Sequence, residues 1–202
     1  MLNCNEIIKI ALDNDVNIDD ELEEEYYETL ENINKDKKSI SNLINELQKN
    51  LEKINEKNIF KIINLIESII NEDDDSKEEI YDFILMLLYM ECCINVSVPY
   101  RIIRIMMSIE KDLDKIFLDI LEKTNENNIM SVIITLNALY SPIGNLNKID
   151  DKLVVRLLEK VKNTVINNNN ELLKSTIKQQ LCKKINNDKY QKYFEEFSTL
   201  IY

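Results

Sequence analysis

The best-spaced set of ligating residues in this chain is the stretch DNDVNIDDELEE, Asp13 to Glu24. Asp13, Asp15, Asn17, Asp19, Glu21 and Glu24 stand at positions 1, 3, 5, 7, 9 and 12 of a twelve-residue calcium loop. Two positions argue against the metal. Position 6, where the loop bends sharply and Gly is usual, is Ile18, a β-branched residue for which a left-handed backbone is costly. Position 8, usually aliphatic, is Asp20, and no second loop exists to pair with this one. The stretch is therefore expected to be a hinge between a short first helix and an acid-capped second one, and a contact for a basic partner. A second cluster, EDDDSKEE, sets Asp74, Asp75 and Glu78 at a DDxx(D/E) spacing that suits Mg²⁺ and a diphosphate. That chemistry also needs a second acidic motif and cations around a deep cavity. These acids are expected instead to be a solvated loop whose charge favours the start of the next helix.

Other chemistries are poorly supplied. The chain has no His, and its one Gly, Gly144, cannot build a P-loop, a GxSxG elbow or a GxGxxG turn. A Ser or Cys nucleophile would lack its usual base. Cys4, Cys92, Cys93 and Cys182 show no C-x-x-C spacing and read as free or buried thiols in a reducing compartment. Adjacent Cys92 and Cys93 on a helix are expected to point in different directions. No catalytic residue, metal or cofactor is expected.

Charge and composition narrow the class. The net charge is -12, and residues 1–31 alone hold eleven acidic groups and one Lys. Nucleic acid is a disfavoured partner, because phosphate-backbone binding depends on Lys and Arg releasing counterions. The longest apolar run, IYDFILMLLYMECCINVSV, contains Asp82 and Glu91 and reads as a buried core helix, not a membrane span. There is no basic n-region or Arg-rich presequence at the start. The expectation is a soluble intracellular protein, cytoplasmic rather than organellar.

The elements that must position these residues are helices. One Gly, two Pro (Pro99 and Pro142) and 45% hydrophobic residues leave little to punctuate hairpins or sandwiches. The NNNN at 167–170 reads as composition drift toward an AT-rich genome. Leu22, Tyr26, Leu30 and Ile33 mark one amphipathic helix, with Asp19 and Asp20 as N-cap candidates. Ile40, Ile44, Leu47, Leu51 and Ile54, spaced 4, 3, 4 and 3, predict one long helix over 39–56. Further helices are predicted at 58–71, 76–94, 98–109, 111–124, 127–140, 149–166, 170–186 and 188–201. The expected fold is all-α, about ten helices in antiparallel pairs, stacked as a short α-solenoid or irregular bundle. Residues 1–57 form an acidic helical arm or hairpin and 58–202 a helical-repeat-like core.

An internal repeat supports the stacking. IYDFILMLLYM (80–90) aligns with IMSVIITLNAL (129–139), and YRIIRIMM (100–107) with KLVVRLLE (152–159), at offsets of 49 and 52 residues. Arg104 and Arg156 then match, and with Arg101 they are the chain's only arginines. In register they would form a ladder for an acidic peptide or phosphate. The pattern of an apolar helix, a Pro or Gly break and a second helix with a basic residue resembles HEAT and armadillo-type α-solenoids. NIMSVIITLNALYSPIGNLNKIDDKLVVRLLEKV (128–161) is also similar to the degenerate helical repeats of organellar RNA-associated proteins related to FAST kinases. That resemblance implies an RNA-processing or organellar ribosome role, but the nuclease-like domain that often accompanies those repeats has no counterpart here.

The function expected from these readings is a non-catalytic scaffold or adaptor within a larger assembly. Its protein partner, a helix or a basic surface, would be met by the Ile40, Ile44, Leu47, Leu51, Ile54 seam or by Arg101, Arg104 and Arg156. A subunit of organellar ribosome or RNA-processing machinery is the alternative, followed by a helical host-interaction protein of an AT-rich parasite or virus. Tyr190, Tyr193, Phe194 and Phe197, interleaved with Lys189 and Lys192, either dock a partner or cap the last core layer.

Overall fold

The computed structural model describes residues 2–15, 20–70, 76–95, 97–138, 148–181 and 190–201. Among them the chain is all-α, without a strand: α1 (Cys4–Leu12), α2 (Asp20–Asn34), α3 (Lys37–Lys49), α4 (Ile59–Ile69), α5 (Lys77–Leu88), α6 (Ser97–Ile109), α7 (Leu113–Lys123), α8 (Ile129–Ala138), α9 (Asp151–Asn167), α10 (Glu171–Gln180) and α11 (Gln191–Ile201). Short polar side chains set many of the starts. Asn3 and Glu6 form a capping box at α1, and Asp36, Asp112, Asp150 and Asn170 accept backbone N–H groups at α3, α7, α9 and α10. The asparagine run thus has a structural job: Asn168 Nδ2 donates to the Thr164 carbonyl at 3.0 Å as α9 ends, and Asn170 Oδ1 accepts from Leu173 N as α10 begins.

The helices fall into two compact units, Met1–Leu87 and Leu88–Tyr202. In the first, α1 and α2 each pack on both α3 and α4, closing a four-helix arrangement. Ile59, Ile62, Ile63 and Ile66 of α4 are all buried there. Residues 1–57 are therefore not an arm, and the boundary drawn after residue 57 moves to Leu87. The apolar helix α4 packs on α1 and α2, and the same two helices pack on α3, so their apolar stripes meet in one core.

The long helix predicted over 39–56 is broken. Helix α3 stops at Lys49, Leu51–Lys53 make a single 3-10 turn, and Ile54 is extended. Asparagine amides divert the backbone: Asn50 Nδ2 donates to the Glu46 carbonyl, and the Asn58 amide bonds Asn55 N and Lys53 O. The seam itself is interior. Ile40, Ile44, Leu47 and Ile54 are buried and Leu51 is half-buried, so this row serves the core of the first unit and is not an open face for a partner helix.

The second unit has two layers. Helix α8 packs on α6 and α10, while α9 packs on α7 and α11, and contacts of α6 with α7 and of α8 with α9 join the layers. Apolar on nearly every side, α8 is buried from Ser131 to Ala138. Helices α7, α9 and α11 run parallel. Asp150 N donates to Asp114 Oδ1 near the starts of α7 and α9, and Lys160 Nζ donates to the Thr124 carbonyl at 2.7 Å near the end of α7. Tyr190 Oη and Tyr193 Oη donate to Asp151 and Glu159, and Lys162 pairs with Glu196 at 2.7 Å, which lays α11 along α9.

This layering redraws the internal repeat. Layers alternate helix by helix, so equivalent helices are two apart, whereas the alignment offset spans three. It therefore equates α6, which packs on α8, with α9, which packs on α7 and α11. Arg104 and Arg156 are both exposed, but on helices of different layers, and they do not form a ladder.

Candidate functional site

Charge divides with the units. Met1–Leu87 holds 23 carboxylate residues against 9 lysines, a net of -14; Leu88–Tyr202 holds 14 against 16 cations, a net of +2. Helix α2 concentrates the acidity: Asp20–Asn34 contains seven carboxylate residues and no cation. Its inward side is set by Tyr26, Thr29, Leu30 and Ile33, all buried. That phase leaves Glu23, Glu24, Tyr27, Glu28 and Glu31 on the exposed side. Tyr27 is 54% exposed and meets Tyr26 edge-on, the ring centroids 5.8 Å apart and the planes at 86°. Burial pushes the Tyr26 hydroxyl up to about 12, so it stays neutral under the acidic stripe.

The exposed stripe works against its own helix. Glu24 and Glu28 are an i, i+4 like-charge pair, and Glu28 and Glu31 lie three apart; such pairs cost about 0.2–0.5 kcal/mol each. No basic residue occupies the last turn, where a cation would complement the helix dipole. Burial on the inward side offsets these terms. The result is a helix with an acidic outer surface and an aromatic at its centre.

The second unit presents the opposite sign on α6. Ser97–Ile109 contains two arginines and no carboxylate. Its exposed side runs through Ser97, Tyr100, Arg104 and Ser108, with Arg101 and Met107 half-buried at the margin. Lys111, just past the helix end, lays its ammonium over the Met107 and Ser108 carbonyls at 3.4 and 3.1 Å, a favourable place for a cation.

The other sites considered from sequence fare differently. In the calcium-like stretch, Asp13 Oδ1 accepts from Asp15 N at 2.9 Å, Asn17 and Asp19 lie outside the described residues, and Glu24 belongs to the α2 stripe. Asp74, Asp75, Cys182 and Lys189 also lie outside them, and Glu78 opens α5. Among the described residues no cluster of three or more metal-ligating side chains occurs. Likewise, no described helix is long and apolar enough to cross a membrane. Tyr190 and Phe197 are buried, with Tyr190 and Tyr193 tied to α9 as above. Ion pairing with Lys162 holds Glu196 below, and Lys162 above, its ordinary range. This helix closes the layer it joins.

Two features were not readable from spacing. Cys92 and Cys93 sit in a 3-10 turn, Glu91–Ile94, with their thiols hydrogen-bonded to each other. A thiol-to-thiol hydrogen bond, then burial, pushes Cys93 above its ordinary range, and the side chain is fully buried. The second is a hydroxyl cluster: Tyr89 Oη donates to the Ile120 carbonyl at 2.7 Å and lies 3.2 and 3.0 Å from Thr124 Oγ1 and Thr135 Oγ1, themselves 2.8 Å apart. It ties the end of α7 to α8. Compared with known proteins, the chain matches no family model, no curated relative and no solved structure.

Proposed function

We propose that this protein is a non-catalytic helical scaffold or adaptor that meets a basic protein surface through the outer face of α2. The observation that carries the reading is the composition of that face: four exposed glutamates around an exposed, edge-packed tyrosine, on a helix with no cation of its own. Natural surfaces usually mix signs, and like charges along one stripe cost helix stability. A basic partner would turn that cost into attraction, speed the encounter and set its specificity. An exposed tyrosine is a common anchor in protein interfaces. The organellar RNA reading has less support, because its two matched arginines stand on helices of different layers.

The test uses a photo-crosslinking amino acid at Tyr27, introduced into the full chain in the cells that make it. A crosslinked protein that disappears in E24K/E28K/E31K, with the circular dichroism of the variant unchanged, is the expected result. A product that survives charge reversal would reject the acidic face as the determinant. Salt-sensitive retention on RNA, lost in R104A/R156A, would favour the RNA reading instead.

A further inference from the structure

Helix α6 bears the sign of charge that α2 lacks. On α2, Glu24, Glu28 and Glu31 stand at i, i+4 and i+7; on α6 the exposed row is Tyr100, Arg104 and Ser108, and the Lys111 ammonium lies over the helix-end carbonyls of Met107 and Ser108. Each face has one exposed tyrosine, Tyr27 at 54% and Tyr100 at 38% exposure. Within their bounds α2 has no cation and α6 no anion, Glu110 just past α6 pairs with Lys115 at 2.7 Å, and the helices belong to units of net -14 and +2.

We propose that the Tyr100, Arg104, Lys111 face of α6 receives α2 of a second copy of this chain. The inference rests on the reading of α2 above and names one basic surface for it. Charge complementarity supplies the argument: the α2 glutamates would face Arg104 and the cation at the α6 end, with the tyrosines covering the aliphatic stems. Donor and acceptor faces lie on different units, so the contact is heterologous. Two copies either exchange both contacts and close, or add head to tail. Because the groups are exposed, attraction falls as the screening length shrinks from about 20 Å or more at low salt to about 6 Å at 0.3 M.

Sedimentation velocity and light scattering of the full chain, at 20 and 300 mM NaCl, test this. The expected result is a weight-average mass above the 23.9 kDa of one chain at low salt, returning to one chain at high salt. Two variants, E24K/E28K/E31K and R104E/S108E, are each expected to be monomeric and to keep the parent circular dichroism. Mixed together, each supplies the charge its partner now needs, and a complex should return through their reversed faces. A monomer at low salt up to about 0.5 mM, association that survives either reversal, or a mixture that stays monomeric overturns the proposal. A monomeric chain that still crosslinks a different protein through Tyr27 overturns the self-association and leaves the scaffold reading standing.

Discussion

Asn58 is fully buried, yet its amide is well satisfied: Oδ1 accepts from Asn55 N at 2.8 Å, and Nδ2 donates to the carbonyls of Leu12 and Lys53, each at 2.9 Å. One side chain thus joins the end of α1 to the link between α3 and α4. Replacing it with Ala removes the partner of one backbone donor and two backbone acceptors, all in part-buried bonds. The expected loss is about 3 kcal/mol in urea unfolding, and a loss below about 0.5 kcal/mol would mean that these groups find other partners. Tyr89 gives a pH prediction. Burial raises its hydroxyl to about 12, with the Thr124 and Thr135 hydrogen bonds partly opposing. An unfolded tyrosine ionises near pH 10. The stabilising term is complete below pH 10, where both states are protonated, and is lost as pH rises toward 12 because only the unfolded state releases the proton. Tyr89→Phe should cost about 1 kcal/mol at pH 7. It should also flatten the fall in Tm between pH 10 and 11.5, and an unchanged slope would assign that fall to other groups such as Tyr26.

At the scale of elements, α2 offers a separation of stability from binding. Glu28 and Glu31 lie in its second half, where carboxylates oppose the helix dipole. E28K/E31K should therefore raise stability by about 0.5–1 kcal/mol in urea titration while weakening capture at Tyr27. A destabilised variant would mean that these glutamates are structural. Much of the helix pattern was legible beforehand: 58–71 became Ile59–Ile69, 111–124 became Leu113–Lys123, and 149–166 became Asp151–Asn167. Periodicity reports burial well because a helix must hide its apolar stripe. It failed over 39–56, since a 3-10 turn kept Ile54 inside while asparagine amides took over the backbone bonds. The seam was legible as apolar but not as occupied, because periodicity shows the stripe of α3 and not that α1 and α2 pack on it. The arginine pairing failed for a different reason: the alignment passed over α7, and one skipped helix exchanges the layers.

Across the whole molecule, the division at Leu87 reorganises the charge. The acidity assigned to the first 31 residues belongs to a complete unit of net -14, and the rest is slightly basic. Scaffold and self-association readings both depend on that polarity, which no single motif announces. The first unit also closes over a distance. Leu12 O and Asp13 O, at the end of α1, wait for Asn58 and Lys61, 46 and 48 residues later. A chain of residues 1–56 should therefore leave α1 open to protease, while 1–88 protects it; equal cleavage would show that these bonds do not hold α1. During synthesis at about 5–20 residues per second, that separation is a delay of roughly 2–10 s. For those seconds the apolar side of α1, with Ile7, Ile8 and Ala11, has α3 but not α4 to pack on. Part of the packing of α1 waits on that later segment, and the interval is an opening for a chaperone.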